Sequence, residues 1–155
     1  MGFIKKICKV IRNVILVALF LAFLGVISIP IINNMSAKKI VKELKKLPVP
    51  QKTEVVDSCY KAEKIAGNGN GMQYIGTILI KSDLSIDELE AFYSKYQKKE
   101  LECTVVDQKN PELDFFDYED ELRFSEYDNR KGNYYIVFSW GEGISPFDEL
   151  DIRGY

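Results

Sequence analysis

The chain has no histidine and only three cysteines among its 155 residues. Without an imidazole, histidine-based general acid–base catalysis, Ser-His-Asp and Cys-His nucleophile activation, and the histidine ligands of most zinc enzymes are all excluded. Cys59 and Cys103, the two cysteines of the folded part, therefore have no histidine partner, and a thiol nucleophile is not expected. Acidic residues are missing from the first 37 positions, which carry Lys5, Lys6, Lys9 and Arg12. Positions 111–155 reverse the balance, with twelve Asp or Glu against Arg123, Arg130, Lys131 and Arg153. The formal net charge of -2 thus averages a basic tail and an acidic lobe. An acidic lobe repels phosphate backbones, so nucleic acid is not an expected partner. Internal repeats and low-complexity linkers are also lacking.

What the chain does contain is one long apolar run. Val14 to Ile32 is uninterrupted by charge. At 1.5 Å per residue it spans about 28 Å, close to the roughly 30 Å hydrocarbon core of a bilayer. A signal-peptide apolar region is shorter, about 7–15 residues, and ends at a small-x-small site. Here Pro30, Ile31 and Ile32 stand where cleavage would occur. The run reads as a retained single-pass anchor, contacting membrane lipid through residues 13–33. Cys8 precedes it and so cannot end a lipoprotein signal, and Lys6 stands where a myristoylation site needs Ser or Thr.

Lysines flank the span on both sides, since Lys38, Lys39, Lys42, Lys45 and Lys46 follow it. A bare count would favour a cytoplasmic C-terminal side. The four N-terminal charges, however, are packed into twelve residues without an offsetting acid, as in export signals. We therefore expect the cell membrane as location and the domain on its extracytoplasmic side. Ala18, Ala22 and Gly25 fall at i, i+4 and i+7, a small-residue stripe through which a transmembrane homodimer could pack.

Beyond the span, Ile40, Val41, Leu44 and Leu47 make one apolar helical face with lysines opposite, and Pro48 and Pro50 stop it. Such a helix can lie on headgroups or serve as a stalk packed on the domain. Thr53–Lys64 and Met72–Lys81 read as strands, the second apolar on both faces and hence central. Gly67–Gly71 between them suits a hairpin turn. No Lys-Ser/Thr and no helix follow it, so a phosphate-binding loop is not indicated and no cofactor is implied. Ser85-Ile86-Asp87-Glu88 forms a capping box, with Leu84 and Leu89 placed as a hydrophobic staple. Further strands are expected over 101–107, 121–127 and 134–140, with a short helical turn after Ser145-Pro146.

The expected architecture is α+β. An N-terminal transmembrane helix precedes a ββαβββ domain, with one main helix on a mostly antiparallel sheet of about five strands. The chain divides into a basic tail (1–12), a transmembrane helix (13–33), an amphipathic juxtamembrane helix or stalk (34–50) and the α+β domain (51–155).

Few residues offer chemistry. Asp114, Asp117, Glu119 and Asp120 could supply oxygen ligands to calcium. The EF-hand spacing is absent, however, and interleaved Phe115, Phe116 and Tyr118 favour a segment that buries its aromatics and solvates its acids. Cys59 and Cys103 could form a disulfide if their strands are neighbours; two buried thiols are the competing account. Tyr134, Tyr135 and Trp140 are candidate contact residues, because aromatics left exposed dominate interface energetics.

The segment from Pro48-Val49-Pro50 through two strands to Lys81-Ser82-Asp83-Leu84-Ser85, with Glu88-Leu89 and Phe92-Tyr93, resembles small uncharacterised membrane-anchored or exported bacterial proteins. In those a similar S-D-L-S-x-x-E-L-x-x-F-Y stretch follows a strand. The resemblance covers residues 48–97, implies no activity and supplies no catalytic residue. The expectation is a membrane-tethered extracytoplasmic binding or accessory module with a protein partner and no catalytic activity. An immunity-type protein neutralising a basic toxin, or a carboxylate- or metal-assisted hydrolase, are the alternatives.

Overall fold

A computed structural model describes residues 2–64, 71–99, 101–109, 123–128 and 132–154. Helix α1 runs without a break from Gly2 to Leu44, about 65 Å at the standard rise. It merges the expected membrane helix and the amphipathic segment into one rod and is long and apolar enough to cross a membrane. Pro30 lies inside it. A proline there removes one backbone donor and leaves the carbonyl of Val26 without its helical partner. The helix nevertheless continues, and its last turn tightens through the Lys46 and Leu47 amides bonding the Glu43 and Leu44 carbonyls. Pro48 and Pro50 then prevent its extension.

Four strands follow, β1 (Thr53–Glu63), β2 (Gln73–Ser82), β3 (Thr104–Gln108) and β4 (Tyr134–Gly141), with α2 (Ile86–Tyr93) between β2 and β3. The sheet is antiparallel throughout, in the order β1-β2-β4-β3. A short α3 (Phe147–Leu150) and a 3₁₀ turn (Ile152–Gly154) end the described chain. The fold is α+β as expected, but it has four strands among the described residues rather than five. The segment expected to form a strand at 121–127 is described from Arg123 onward, and there only Arg123 takes part in a β-bridge before the chain turns at Ser125 and Glu126. Its apolar residues Phe124 and Tyr127 are three apart, not two. The Asp57 carboxylate accepts hydrogen bonds from the Ser125 amide (2.8 Å), the Ser125 hydroxyl (3.2 Å) and the Glu126 amide (3.3 Å). These bonds curl the chain so that Phe124 is buried, 2% exposed, against Ile75, Leu79, Ile136 and Phe138.

The sheet is covered on both faces, which explains the near-continuous burial of β2 and β4. One face receives α2 and the end of α1. Ala37, Ile40, Val41 and Leu44 pack there with Tyr74, Ile78, Ile80 and Val137. Helix α1 approaches so closely because Gly76 and Gly141 leave a trough beneath it. A β-carbon on Gly76 would stand 2.7 Å from both Ile40 Cβ and the Val41 amide nitrogen. One on Gly141 would stand 2.6 Å from Ile40 Cδ1. The amphipathic face is thus part of the domain's own core. Of the two roles open to it from the sequence, it serves as a packed extension of the domain.

Helix α2 begins as its local sequence dictates. Ser85 Oγ accepts from the Glu88 amide (3.4 Å) and the Glu88 carboxylate accepts from the Ser85 amide (2.8 Å). Leu84 and Leu89 join the same apolar cluster beneath it.

Candidate functional site

A buried polar network lies where α1 leaves its apolar run. Asn33, the first polar residue after Ile32, is fully buried. Its side-chain carbonyl accepts from the Tyr74 hydroxyl at 2.9 Å. Its amide donates to the Phe147 carbonyl (2.9 Å) and to Asp151 Oδ2 (2.8 Å). Acceptors on one side and a hydroxyl on the other define which end of the amide is which.

Asp151, 3% exposed, is held on its second side by Arg153. The Arg153 guanidinium donates to both carboxylate oxygens, at 3.0 and 2.7 Å, and its backbone amide adds a third bond at 3.1 Å. The Arg153 bonds come first among the causes that lower the Asp151 carboxyl to a pKa of about 2, and Asn33 adds to them; burial acts against them. Arg153 is raised, chiefly by the same ion pair. The guanidinium also reaches Asn34 Oδ1 (3.1 Å) and the Pro30 carbonyl (3.4 Å). Burial, followed by the charges of Asp148 and Asp151, pushes the Tyr74 phenol up to about 12.

Backbone bonds complete the closure. The Lys64 amide donates to the Arg153 carbonyl (3.0 Å) and the Gly71 amide to that of Gly154 (2.8 Å). The C-terminal turn is therefore tied both to the turn end of the β1–β2 hairpin and to α1 at its exit from the apolar run. The group holds no activated nucleophile, and its carboxylate is saturated by donors. What it does is join distant parts of the chain, with Asn33 and Asp151 118 residues apart in sequence.

The residues singled out from the sequence are dispersed. Cys59, on β1, and Cys103, just before β3, are free thiols, and the two strands are not neighbours. Cys59 faces the cluster around Phe124, while Cys103 sits in the cluster beneath α2. Two strands intervene, about 14 Å at normal strand spacing, and a disulfide needs Cα atoms within about 7 Å. The possible Cys59–Cys103 bridge is therefore corrected to two separate thiols. Burial pushes the Cys59 thiol up to about 11, against its bond to the Thr77 hydroxyl at 2.9 Å, and burial also raises Cys103.

Tyr134 and Tyr135 are buried at 4% and 7% exposure, on opposite faces of the sheet. They are core residues, not contact residues, because β4 is an inner strand covered on both sides. Trp140 retains 41% exposure. Asp114, Asp117, Glu119 and Asp120 lie outside the described residues. Among the described residues no group of three or more Cys, Asp or Glu converges as a metal-binding set. Ala18, Ala22 and Gly25 lie on the exposed length of α1, where Gly25 has nothing within 4 Å of its β-carbon position.

Sequence reasoning missed Asn33, Asp151, Arg153 and the two trough glycines. The available signal was the pair Asn33-Asn34 closing an apolar run, since helix-disfavouring amides at a membrane exit need a local reason to be there. No protein-family model, curated protein or solved structure matches the chain.

Proposed function

We propose that this protein is a membrane-tethered binding or accessory module, anchored by a single helix and displaying its domain on the extracytoplasmic side of the cell membrane. The observation that carries the reading is the continuity of α1. Its free length is long and apolar enough to span, and the apolar residues of its last turns join the core of the sheet. An anchor built into the domain presents a partner with a surface of defined height and orientation above the membrane, which a flexible tether does not. The exposed aromatics Tyr60 and Trp140 supply contact area of the kind that dominates interface energetics.

Topology and binding are tested together. With Cys8, Cys59 and Cys103 replaced, a single cysteine at the exposed Glu90 of α2 is treated with an impermeant maleimide on intact cells. The reading expects labelling before lysis. A photo-crosslinking residue at Tyr60 or Trp140 should then give one discrete adduct in membranes. Labelling only after lysis would overturn the location, and the absence of an adduct from both positions would overturn the binding role.

A further inference from the structure

The C-terminal turn carries three large apolar side chains that the fold leaves uncovered. Ile144, Leu150 and Ile152 are 55%, 57% and 86% exposed. Their height along α1 is fixed by their neighbours. Ile152 lies between Asp151, bonded to Asn33, and Arg153, bonded to Asn34 and to the Pro30 carbonyl. Leu150 precedes Asp151, and Ile144 accepts from the amide of Phe147, whose own carbonyl takes the Asn33 amide. All three therefore stand beside the helical turn formed by residues 30–34.

That turn is also where the apolar run ends. On the side of α1 away from the domain, Ile27, Ile31 and Met35 continue an exposed apolar stripe at i, i+4 and i+8. On the side toward the domain, residues 28–30 are already half-buried. A bilayer about 30 Å thick in its hydrocarbon needs essentially all of Val14–Ile32, so its surface meets α1 where the C-terminal turn is packed against it. The uncovered apolar edge therefore stands at the height where the span ends.

We infer that Ile144, Leu150 and Ile152 insert into the membrane interface, seating the domain directly on the bilayer as a second, monotopic contact. The inference rests on the anchor reading above. The occupant is lipid, entered by apolar burial and not drawn by charge, because Glu142 and Glu149 are exposed on the same edge and disfavour anionic headgroups. Arg153 lies at the depth where basic side chains bridge hydrocarbon and water, its charge neutralised by Asp151.

The test uses the full chain in phosphatidylcholine nanodiscs, with Cys8, Cys59 and Cys103 replaced. Single nitroxide labels are placed in turn at Leu21→Cys in the span, Leu150→Cys, Ile152→Cys, and Glu90→Cys on the exposed side of α2. Relaxation by oxygen, which concentrates in lipid, is compared with relaxation by a water-soluble nickel chelate. Labels 150 and 152 should follow label 21, with an oxygen-to-nickel accessibility ratio several-fold above that of label 90. Lipid-like values at 21 with water-like values at 150 and 152 would overturn the seating while leaving the anchor intact. Low accessibility to both reagents at 150 and 152 would mean that protein covers the edge, and would overturn it too. A water-like value at 21 would overturn the anchor and the seating together.

Discussion

Replacing Gly76 by alanine should be among the most damaging single-methyl additions the domain can suffer. The new β-carbon would lie 2.7 Å from Ile40 Cβ and 2.7 Å from the Val41 amide nitrogen. Neither atom can rotate away, so α1 must lift from the sheet until ordinary contact distances return. Lifting loosens the packing of Ala37, Ile40, Val41 and Leu44 on the sheet at once. Overpacking of this kind costs about 1–3 kcal/mol; a backbone clash places this case near the top, and the gain of up to about 1 kcal/mol from removing a strand glycine only partly offsets it.

Gly141→Ala provides the internal control. Its β-carbon would meet Cδ1 and Cγ1 of Ile40, at 2.6 and 2.9 Å, and these are the movable end of a side chain. A rotamer change there costs about 1 kcal/mol. In thermal unfolding in detergent, followed by the fluorescence of Trp140, Gly76→Ala should lower Tm by roughly 8 °C and Gly141→Ala by at most roughly 4 °C, the same glycine gain offsetting part of its cost, at about 4 °C per kcal/mol for a domain of this size. Adding Ile40→Ala should relieve the Gly141→Ala clash but not the Gly76→Ala clash, because Cβ and the backbone remain. Equal shifts for the two glycine variants, or rescue of Gly76→Ala by Ile40→Ala, would refute the close approach of helix and sheet.

Three further expectations follow from the same structure. Asp151, lowered from 3.8 to about 2 in the folded state, contributes stability that is complete above its unfolded pKa and lost as pH falls toward 2. The shift corresponds to about 2.5 kcal/mol, so Asp151→Asn should flatten the decline of Tm between pH 5 and 2, and an unchanged acid slope would count against the ion pair. Ser85→Ala removes the hydroxyl that accepts from the Glu88 amide, leaving only the backbone arm of the α2 capping box, and should cost on the order of 1 kcal/mol, read by chemical denaturation; unaltered stability would argue against this helix start. In the folded protein at neutral pH, exposed Cys8 should react with maleimide while Cys59, pushed up to about 11, and buried Cys103 stay unmodified until denaturant is added; rapid labelling of either would contradict their burial.

The parts of this fold that were legible in the sequence are those whose information is local. The capping box and staple of α2 need only residues 84–89, and the structure shows both capping bonds. The spacing of Ile40, Val41 and Leu44 marked a helical face, and the apolar content of β2 marked a strand covered twice. The parts that were not legible depend on partners far away in sequence. Asn33 reads as the polar end of a span until Tyr74 and Asp151 bury it. Which of Tyr134, Tyr135 and Trp140 are core and which are candidate contacts is not decided until β4 proves to be an inner strand, and Cys59 and Cys103 are separated by a strand order that no local pattern contains. Within its described residues the strand expected at 121–127 gives way to a turn, because Asp57, on another element, curls residues 125 and 126. Nothing in the pattern of 34–50 distinguished a stalk from a core helix either. That depended on two glycines in strands that come later in the chain.

The central claim is that anchor and domain are one rigid body. The most direct measurement is the distance between spin labels at Leu21→Cys in the span and Glu90→Cys on α2, in a background lacking the three native cysteines, recorded by pulsed dipolar spectroscopy in nanodiscs. One continuous helix packed into the sheet predicts a single narrow distance distribution. A broad distribution, as a domain swinging on a flexible stalk would give, would contradict it.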